Sequence, residues 1–316
     1  MGRMKFAGMV ALVFVLSAGW GNALGETADG AGAAEAKLFV ASFMTMHDPF
    51  FVDLSEGIRI AVEAHGDKLL LLDGKHERDI QEENTIEALN LHPSALFLVP
   101  ATDLGSIDKI LAAAKEKHVP VILVDTDLDA PDSLILTKVV TDNVTAGKLA
   151  AQELARANPK AKIGVLSFSL SRGCVDRVKG FSGELEKYPG MKVVAMQDGH
   201  ANRDGVRGVI KDFLASHPEM DAIFAINDVS AIEALAGIDA AGRSGRVTVL
   251  GVAGSREGAQ LIKAGRMLAS SAQMPKEMGR IAVSKAYDGL AGKPVEREVL
   301  TPVKLVTKAN ANDFIQ

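Results

Sequence analysis

Cysteine, tryptophan and tyrosine are scarce in this sequence of 316 residues, which contains one Cys, one Trp and two Tyr. A single cysteine, Cys174, excludes an internal disulfide. The formal net charge of -5 gives no electrostatic argument for nucleic acid or an anionic membrane as a partner. With 47% hydrophobic and 24% charged residues, the composition is globular, and the length suggests two lobes.

Signatures of catalytic, nucleotide and metal sites are also missing. Neither GxxxxGK[ST] nor GxGxxG occurs between a predicted strand and helix, and no Ser-His-Asp set is visible. The seven histidines form no HxH or HxxxH pair, which disfavours a metal site. Asp125 and Asp127 offer a carboxylate pair for glycoside chemistry, but a ligand contact at a strand end beside a solvated charge accounts for them better. We therefore expect neither an enzyme nor a bound cofactor or metal.

The N-terminus has the pattern of a secretory signal peptide. Two basic residues among the first five precede an apolar run at 6–20, and small residues at 23–25 form a cleavage site. The apolar run is short for a membrane span, although an uncleaved anchor is the alternative. A signal peptide at 1–25 predicts a soluble periplasmic protein of a Gram-negative cell, and its removal would take away Trp20.

Short apolar runs alternate with helical patterns along the rest of the chain. The predicted strands are 37–44, 68–73, 95–100, 120–125, 136–142, 162–169, 192–197, 222–228, 247–252 and 267–274, and 297–308 is expected to be extended. The predicted helices lie at about 50–65, 79–91, 104–117, 146–158, 174–188, 203–216, 229–241, 256–264 and 276–291. Because the strand runs are continuously apolar, they indicate parallel sheets covered on both faces.

The alternation restarts near residues 141–143 without a proline- or serine-rich linker. This organisation predicts an α/β protein with two doubly wound parallel-sheet lobes. Several short crossovers between the lobes are expected in place of one flexible tether, and such crossovers form a hinge between rigid bodies.

Polar residues follow most of the predicted strands, at the edge where a parallel sheet binds its ligands. These strand-end residues are 48–51, 73, 102–103, 125–127, 169–172, 198–202, 227–228 and 253–254. Carboxylates and amides accept and donate hydrogen bonds, and aromatic rings stack on C–H groups. The combination suits a neutral polyhydroxylated ligand.

The stretch MHDPFF at 46–51 places two phenylalanines in a turn between a strand and a helix. Phe50 and Phe51 either clamp a small molecule between the lobes or cap the core of their own lobe. Their position at a strand end favours a ligand contact for at least one ring.

Several segments carry a resemblance to a known family. They are DPFFVDLSEGIR (48–59), VPVILVD (119–125), TDNVTAGKLAAQEL (141–154), RVKGF (177–181), HPEMDAIFAINDVSAIEAL (217–235) and SAQMPKEMG (271–279). Together they resemble type I periplasmic binding proteins, of the ribose- and galactose-binding cluster of ABC-transporter solute receptors, over about residues 37–308. The resemblance implies a three-strand hinge at 141–142, 273–274 and 302–303. It also implies an N-terminal lobe of 37–141 plus 274–302 and a C-terminal lobe of 142–273 plus 303–316.

The resemblance further implies a set of ligand contacts. The residues that match the family's binding positions are Asp48, Phe50, Phe51, Asp125, Arg177, Asn227 and Gln273. In this set Asp125 would accept hydrogen bonds from sugar hydroxyls, and Arg177 would donate two hydrogen bonds to the ligand.

Three positions depart from the ribose-binder pattern. Thr126 stands where those proteins have an arginine, Ala253 stands in place of an aspartate, and Arg172 adds a charge to the loop at 169–173. A buried polar group left without its partner costs about 1–3 kcal/mol, so ribose bound in the standard way is not expected.

The function implied by the resemblance is a periplasmic receptor that captures a sugar or polyol for an inner-membrane ABC permease. A monomer that binds no nucleic acid is expected. A non-sugar ligand, such as a nucleoside or a signalling furanone, is an alternative, as is service to a sensor kinase or chemoreceptor. A transcription regulator of the lactose-repressor type is disfavoured, because it needs an N-terminal helix-turn-helix where this chain has the signal-peptide pattern.

Overall fold

A computed structural model of the chain describes residues 35–100, 107–126, 134–199 and 203–315. The predicted signal peptide lies outside the described residues. The same is true of Asp127 and of the strand-end residues at 102–103 and 200–202.

The described residues form twelve strands and nine α-helices. The strands are β1 (Leu38–Phe43), β2 (Lys68–Asp73), β3 (Ala95–Val99), β4 (Val121–Val124), β5 (Thr137–Thr141), β6 (Lys162–Ser167), β7 (Lys192–Asp198), β8 (Ala222–Ala225), β9 (Thr248–Ala253), β10 (Ala269–Ala272), β11 (Glu298–Thr301) and β12 (Lys304–Val306). The helices are α1 (Pro49–Glu63), α2 (Arg78–Leu89), α3 (Asp108–Glu116), α4 (Asn143–Ala157), α5 (Arg172–Leu185), α6 (Arg203–Ser216), α7 (Asp228–Ala240), α8 (Arg256–Lys263) and α9 (Pro275–Leu290). Among these helices, none is long and apolar enough to cross a bilayer.

The strands form two six-stranded sheets, with the orders β11-β5-β4-β3-β1-β2 and β12-β10-β9-β8-β6-β7. The first sheet, with α1, α2, α3 and α9, is called the first lobe; the second sheet, with α4 to α8, is called the second lobe. The predicted architecture of two doubly wound lobes is confirmed, with one difference. β12 pairs antiparallel with β10, because it enters the second sheet directly from β11, without a helical crossover to reverse the chain.

Alternate residues of the central strands pack on opposite faces of each sheet. In β3, Ala95, Phe97 and Val99 contact the cluster that contains residues of α1 and α9, whereas Leu96 and Leu98 contact the cluster that contains residues of α2 and α3. The continuously apolar runs therefore reflect burial on both faces, as expected for parallel strands between two helical layers.

Two helices begin earlier than the sequence predicts, because each has a side-chain cap. Asp142 precedes α4 and its Oδ1 accepts the N–H of Thr145 at 2.9 Å. Ser171 precedes α5, and its Oγ lies 3.5 Å from the nitrogen of Cys174. Caps of this kind satisfy backbone N–H groups that have no partner within the helix.

The described chain passes between the two sheets at three places. It leaves β5 for α4 through Asp142, returns from β10 to α9 through residues 273–274, and crosses again from β11 to β12 through residues 302–303. The N–H of Asp142 donates to the carbonyl of Thr301 at 3.0 Å, so two of the crossings are in direct contact.

Each lobe contains a pair of helices in backbone contact. In the first lobe, α1 and α9 meet at Gly57 and Gly279; in the second lobe, α4 and α5 meet at Gly147 and Gly180. A Cβ atom at Gly57, Gly147 or Gly180 would overlap a carbonyl oxygen of the facing helix. These glycines are therefore required by the close approach of the helices.

Candidate ligand-binding site

Asp125 lies directly after β4, where the backbone turns into the left-handed region with φ of 62°. Its Oδ1 is 3.4 Å from Nε2 of Gln273, which lies in the crossing between β10 and α9. The same Nε2 donates to Oγ1 of Thr141, at the end of β5, at 2.9 Å. One buried amide thus joins a candidate ligand carboxylate to two of the three crossings.

Protein surrounds the Asp125 carboxylate, which keeps only part of its surface exposed. Burial raises the pKa of Asp125 to about 7. The positive charge of Arg177 and the hydrogen bond from Gln273 act to lower this pKa, and the negative charge of Asp48 acts to raise it. Three other predicted binding residues, Asp48, Arg177 and Gln273, therefore lie close enough to act on the Asp125 carboxylate.

Arg177 is buried on α5 and is held by two acceptors. Its Nε donates to Oδ1 of Asn143 at 2.7 Å, and its Nη1 donates to the carbonyl of Ile226 at 2.8 Å. Asn143 and Ile226 thus account for Nε and one N–H of Nη1, and a ligand contact through the other N–H groups of Arg177 stays a prediction.

The first loop is held by its own cap and by the core of the first lobe. Asp48 precedes α1, and its Oδ1 accepts the N–H of Phe50 at 2.8 Å. Phe51 packs edge-on against buried Phe43 at 6.3 Å and against Phe50 at 5.4 Å between ring centroids. Both rings cap the core and both stay partly exposed, so core packing is observed and a ligand contact stays a prediction.

Asn227 is positioned as the cap of α7. Its Oδ1 accepts the N–H of Ser230 at 2.8 Å, so this oxygen is already used within the protein. The amide nitrogen is the group of Asn227 that would be left for a ligand. Asn227 directly follows Ile226, whose carbonyl accepts from Arg177, so the backbone next to Asn227 also holds Arg177.

Asp228, one of the strand-end residues of the sequence analysis but not one of the seven predicted binding residues, is buried. Its carboxylate accepts the backbone N–H of Ser255 at 2.7 Å and the hydroxyl of Ser270 at 2.6 Å. Burial raises the pKa of Asp228, and these hydrogen bonds oppose the rise. Gly251 and Gly258 leave room for the carboxylate, because a Cβ at either position would overlap it. The fixed partners indicate a structural role.

The three departures from the ribose-binder pattern have distinct surroundings. Ala253 ends β9 with φ of 133°, and Gly254 follows with φ of 68°, so a non-glycine residue holds a strained backbone at this strand end. Arg172 belongs to the first turn of α5 and not to the preceding loop, and its Nε is 3.7 Å from Oδ2 of Asp176. Thr126 is half-buried beside Asp125.

A cavity of about 130 Å³ lies beside Asp125 and between the lobes. Its lining includes Thr141, Asp142, Asn143, Asp176 and Glu298. Of the seven predicted binding residues, Asp125 alone is among the lining residues described for this cavity. A larger cavity of about 280 Å³ lies in the second lobe and contains none of them.

Two other strand-end aspartates serve their own loops. Oδ1 of Asp73 accepts the N–H groups of Met46 and Lys75 at 3.1 and 2.8 Å. Oδ2 of Asp198 accepts the N–H and the hydroxyl of Ser169, both at 2.9 Å. In the described ranges, no group of three or more His, Cys, Asp or Glu side chains is arranged to hold a metal ion.

Two α/β lobes connected by three chain crossings, with Asp125 and Gln273 in contact beside those crossings, have the architecture of a hinged binding protein. A family model described as periplasmic binding protein domain matches residues 39–294, and the chain therefore belongs to this family of binding proteins.

Individual relatives agree with this assignment. The ribose import binding protein of Bacillus subtilis (strain 168) is 30% identical over 272 residues, which are 84% of this chain and 86% of that protein. A xylitol-binding protein of Mycolicibacterium smegmatis is 28% identical and covers 93% of this chain, with 84% of its own length matched. The periplasmic binding component of the arabinose ABC transporter of Shewanella sp. ANA-3 has the same fold, with a TM-score of 0.78 at 22% identity, over 87% of this chain and 93% of that one.

Proposed function

We propose that this protein captures a small sugar or polyol between its two lobes and presents it to an ABC importer. The observation that carries the proposal is the convergence of Asp125, Arg177 and Gln273 beside the chain crossings. The carboxylate belongs to the first lobe and the guanidinium to the second, so a ligand that contacts both would favour closure.

The chemistry of these groups fits vicinal hydroxyls. A carboxylate accepts two hydroxyl hydrogens, and a guanidinium donates N–H groups in one plane to ring or hydroxyl oxygens. The partly exposed rings of Phe50 and Phe51 offer apolar faces to the C–H groups of a sugar. Relatives named for ribose import and xylitol binding are consistent with a polyhydroxylated ligand.

The proposal extends to the cellular setting. The chain is exported through the signal peptide at 1–25, acts in the periplasm as a monomer, and delivers its ligand to an inner-membrane permease. The N-terminal lobe comprises residues 37–141 plus 274–302, and the C-terminal lobe comprises 142–273 plus 303–316. Closure about the three crossings creates the surface that the permease recognises.

The ligand differs from ribose held in the standard way. Thr126 offers a neutral hydroxyl where ribose binders have a guanidinium, and Ala253 offers no polar side chain. Relative to ribose binders, this chain lacks one arginine and one aspartate, so the net charge of the site is unchanged. The hydrogen bonds that those two side chains make to ribose are lost. We expect a ligand with fewer polar contacts on that side, such as a polyol or a deoxy or furanose sugar.

A thermal-shift screen of the mature protein tests the proposal. The panel contains D-ribose, D-allose, L-arabinose, xylitol and myo-inositol, with adenosine and L-leucine as members of other classes. An extrinsic dye reports unfolding, because Trp20 lies in the signal peptide. A ligand at 100 times its Kd adds about 2.7 kcal/mol to stability, which raises Tm by several degrees.

The control variant Asp313→Asn changes an exposed carboxylate in the C-terminal 3-10 helix and should give the same shift as wild type. Asp125→Asn should lose the shift. A shift with adenosine or L-leucine alone would contradict the sugar or polyol assignment.

A further inference from the structure

The position of Arg177 is set by helix α4 as well as by its own helix. A Cβ atom at Gly147 of α4 would overlap the carbonyl oxygen of Arg177, and one at Gly180 of α5 would overlap the carbonyl oxygen of Val144. The two backbones are therefore in contact next to Arg177. This contact fixes the position of the Arg177 Cα atom relative to α4.

Asn143, the first residue of α4, orients the other end of the Arg177 side chain. Its Oδ1 accepts Nε–H of Arg177 at 2.7 Å. The facing residue, Gly173, leaves space for the Asn143 amide, since a Cβ there would lie 2.9 Å from Nδ2. Asn143 directly follows Asp142, the residue through which the chain crosses between the lobes.

Two acceptors in different directions fix a planar group. With Nε bonded to Asn143 and Nη1 bonded to the carbonyl of Ile226, the guanidinium plane cannot turn without breaking a hydrogen bond. The orientation of its remaining N–H groups is then fixed. Ordering a long side chain in advance removes part of the entropy cost of binding.

We propose that Asn143 is a positioning residue, which holds the Arg177 guanidinium in the orientation that the ligand requires. This inference rests on the proposed function, in which Arg177 contacts a sugar or polyol. It also links the hinge to the site, because Asn143, which orients Arg177, is the first residue after the crossing into the second lobe.

The first arm of the test observes Arg177 without a ligand. In a ¹H–¹⁵N spectrum of arginine side chains, the buried Nε–H of Arg177 should exchange slowly with water. Its signal is identified by its absence in Arg177→Lys. Asn143→Ala should shift this signal and speed its exchange at least tenfold, whereas Asn143→Asp retains an acceptor and should preserve it.

Gly183→Ala is the matched control on the same helix. Gly183 is exposed, and a Cβ there would meet no atom within 4 Å. The control should leave both the signal and the binding affinity unchanged. An Arg177 signal that is the same in wild type and Asn143→Ala would overturn the inference.

The second arm measures Kd by calorimetry for whichever of D-ribose, D-allose, L-arabinose, xylitol or myo-inositol binds wild type. Asn143→Ala should weaken binding about tenfold, the usual effect of losing one hydrogen bond to a charged group. In an Arg177→Lys background, which lacks Nε, the same substitution should have no further effect. A tenfold loss that persists in that background would mean that Asn143 contacts the ligand itself, and it would overturn the positioning role.

The two arms separate the inference from the function on which it rests. If no member of the panel binds wild type, the proposed function fails. The exchange of the Arg177 Nε–H then still decides whether Asn143 holds the guanidinium.

Discussion

The two lobes use the same packing device to support site groups of different rigidity. In the second lobe, the helix pair joined at Gly147 and Gly180 carries Arg177 in its interior, where two acceptors hold the side chain. In the first lobe, the pair joined at Gly57 supports α1, but the candidate ligand groups lie at its exposed N-terminus.

This difference in rigidity predicts different roles for the two sets of groups in ligand binding. The second lobe presents a rigid donor that is in place before the ligand arrives. The first lobe presents Asp125 beside the crossings. At the start of α1 it also presents Asp48 and two partly exposed rings, which are held by one cap and by edge-on packing. We expect Arg177 and Asp125 to determine affinity, and the groups at the start of α1 to adapt to the shape of the ligand.

Removal of the buried charged groups should have the largest effect. Arg177→Ala and Asp125→Ala should each abolish measurable binding of the panel ligand, because each removes several charge-assisted hydrogen bonds. Asp48→Ala should weaken binding about tenfold or less, since Asp48 is exposed and already bonded to the N–H of Phe50.

Calorimetry supplies the Kd values, and far-UV circular dichroism checks that each variant is folded. Normal binding by both Arg177→Ala and Asp125→Ala would show that the candidate site is wrong. An Asp48→Ala variant as weak as Arg177→Ala would break the proposed difference between Arg177 and the groups at the start of α1.

Adding a methyl group at a glycine of either close helix contact should have the next largest effect, on both stability and affinity. Gly147→Ala and Gly57→Ala each drive a Cβ into a carbonyl oxygen of the facing helix, and should lower the free energy of unfolding by about 3 kcal/mol. Gly147→Ala should also weaken binding more than Gly57→Ala does, because it displaces the backbone of Arg177. Gly183→Ala, the control, should keep or raise stability, since alanine favours the helix.

Urea unfolding of the three glycine variants, followed by calorimetry of those that remain folded, makes this comparison. Equal losses of affinity in Gly147→Ala and Gly57→Ala would show that the contact in the second lobe has no special link to the site.

The pH dependence of stability should report on Asp125. Its pKa is about 7 in the folded protein and near 3.8 when the chain is unfolded. The folded state therefore holds a proton that the unfolded state releases between about pH 4 and 7, so stability falls as pH rises through this window and is level above it. The expected fall is on the order of 2 kcal/mol, because the remaining exposure of the carboxylate reduces the cost of its charge.

Asp125→Asn should flatten that part of the profile when urea unfolding is measured at pH 4.5, 6 and 8. Asp313→Asn provides the matched control and should follow wild type. Profiles of wild type and Asp125→Asn that run parallel would rule out Asp125 as the source.

The smallest expected effect concerns the strained end of β9. Ala253→Gly should raise the free energy of unfolding by about 1 kcal/mol, because glycine adopts φ of 133° without a clash of Cβ. A loss of stability in this variant would show that the Ala253 methyl group makes contacts worth more than the strain.

Sequence reasoning predicted the lobes well because burial on both faces leaves a strong local signal. Every residue of β3 is apolar because successive residues pack against different helical layers, one on each face of the sheet. The antiparallel pairing of β12 left no such signal, because it depends on the path of the chain from β11.

The site was predictable only in part. The early start of α4 depends on which N–H the Asp142 side chain accepts, and that cannot be read from residue type alone. The buried site of the Asp228 carboxylate is formed by Ser270, 42 positions away, and by Gly251 and Gly258 of other elements. The local sequence Asn227–Asp228 therefore does not reveal it. The ligand contacts of the seven predicted residues, and the lobe boundaries, stay predictions.

The Gln273 amide has a consequence for anyone who would build a fluorescent sensor from this protein. One nitrogen touches Thr141 in the hinge region and Asp125 in the candidate site. Sensor design often treats the equilibrium between open and closed forms and the ligand preference as properties that can be changed independently. If Asp125 binds the ligand as proposed, a change at Gln273 should alter both, so a sensor that opens more readily should also have a different order of preference among sugars.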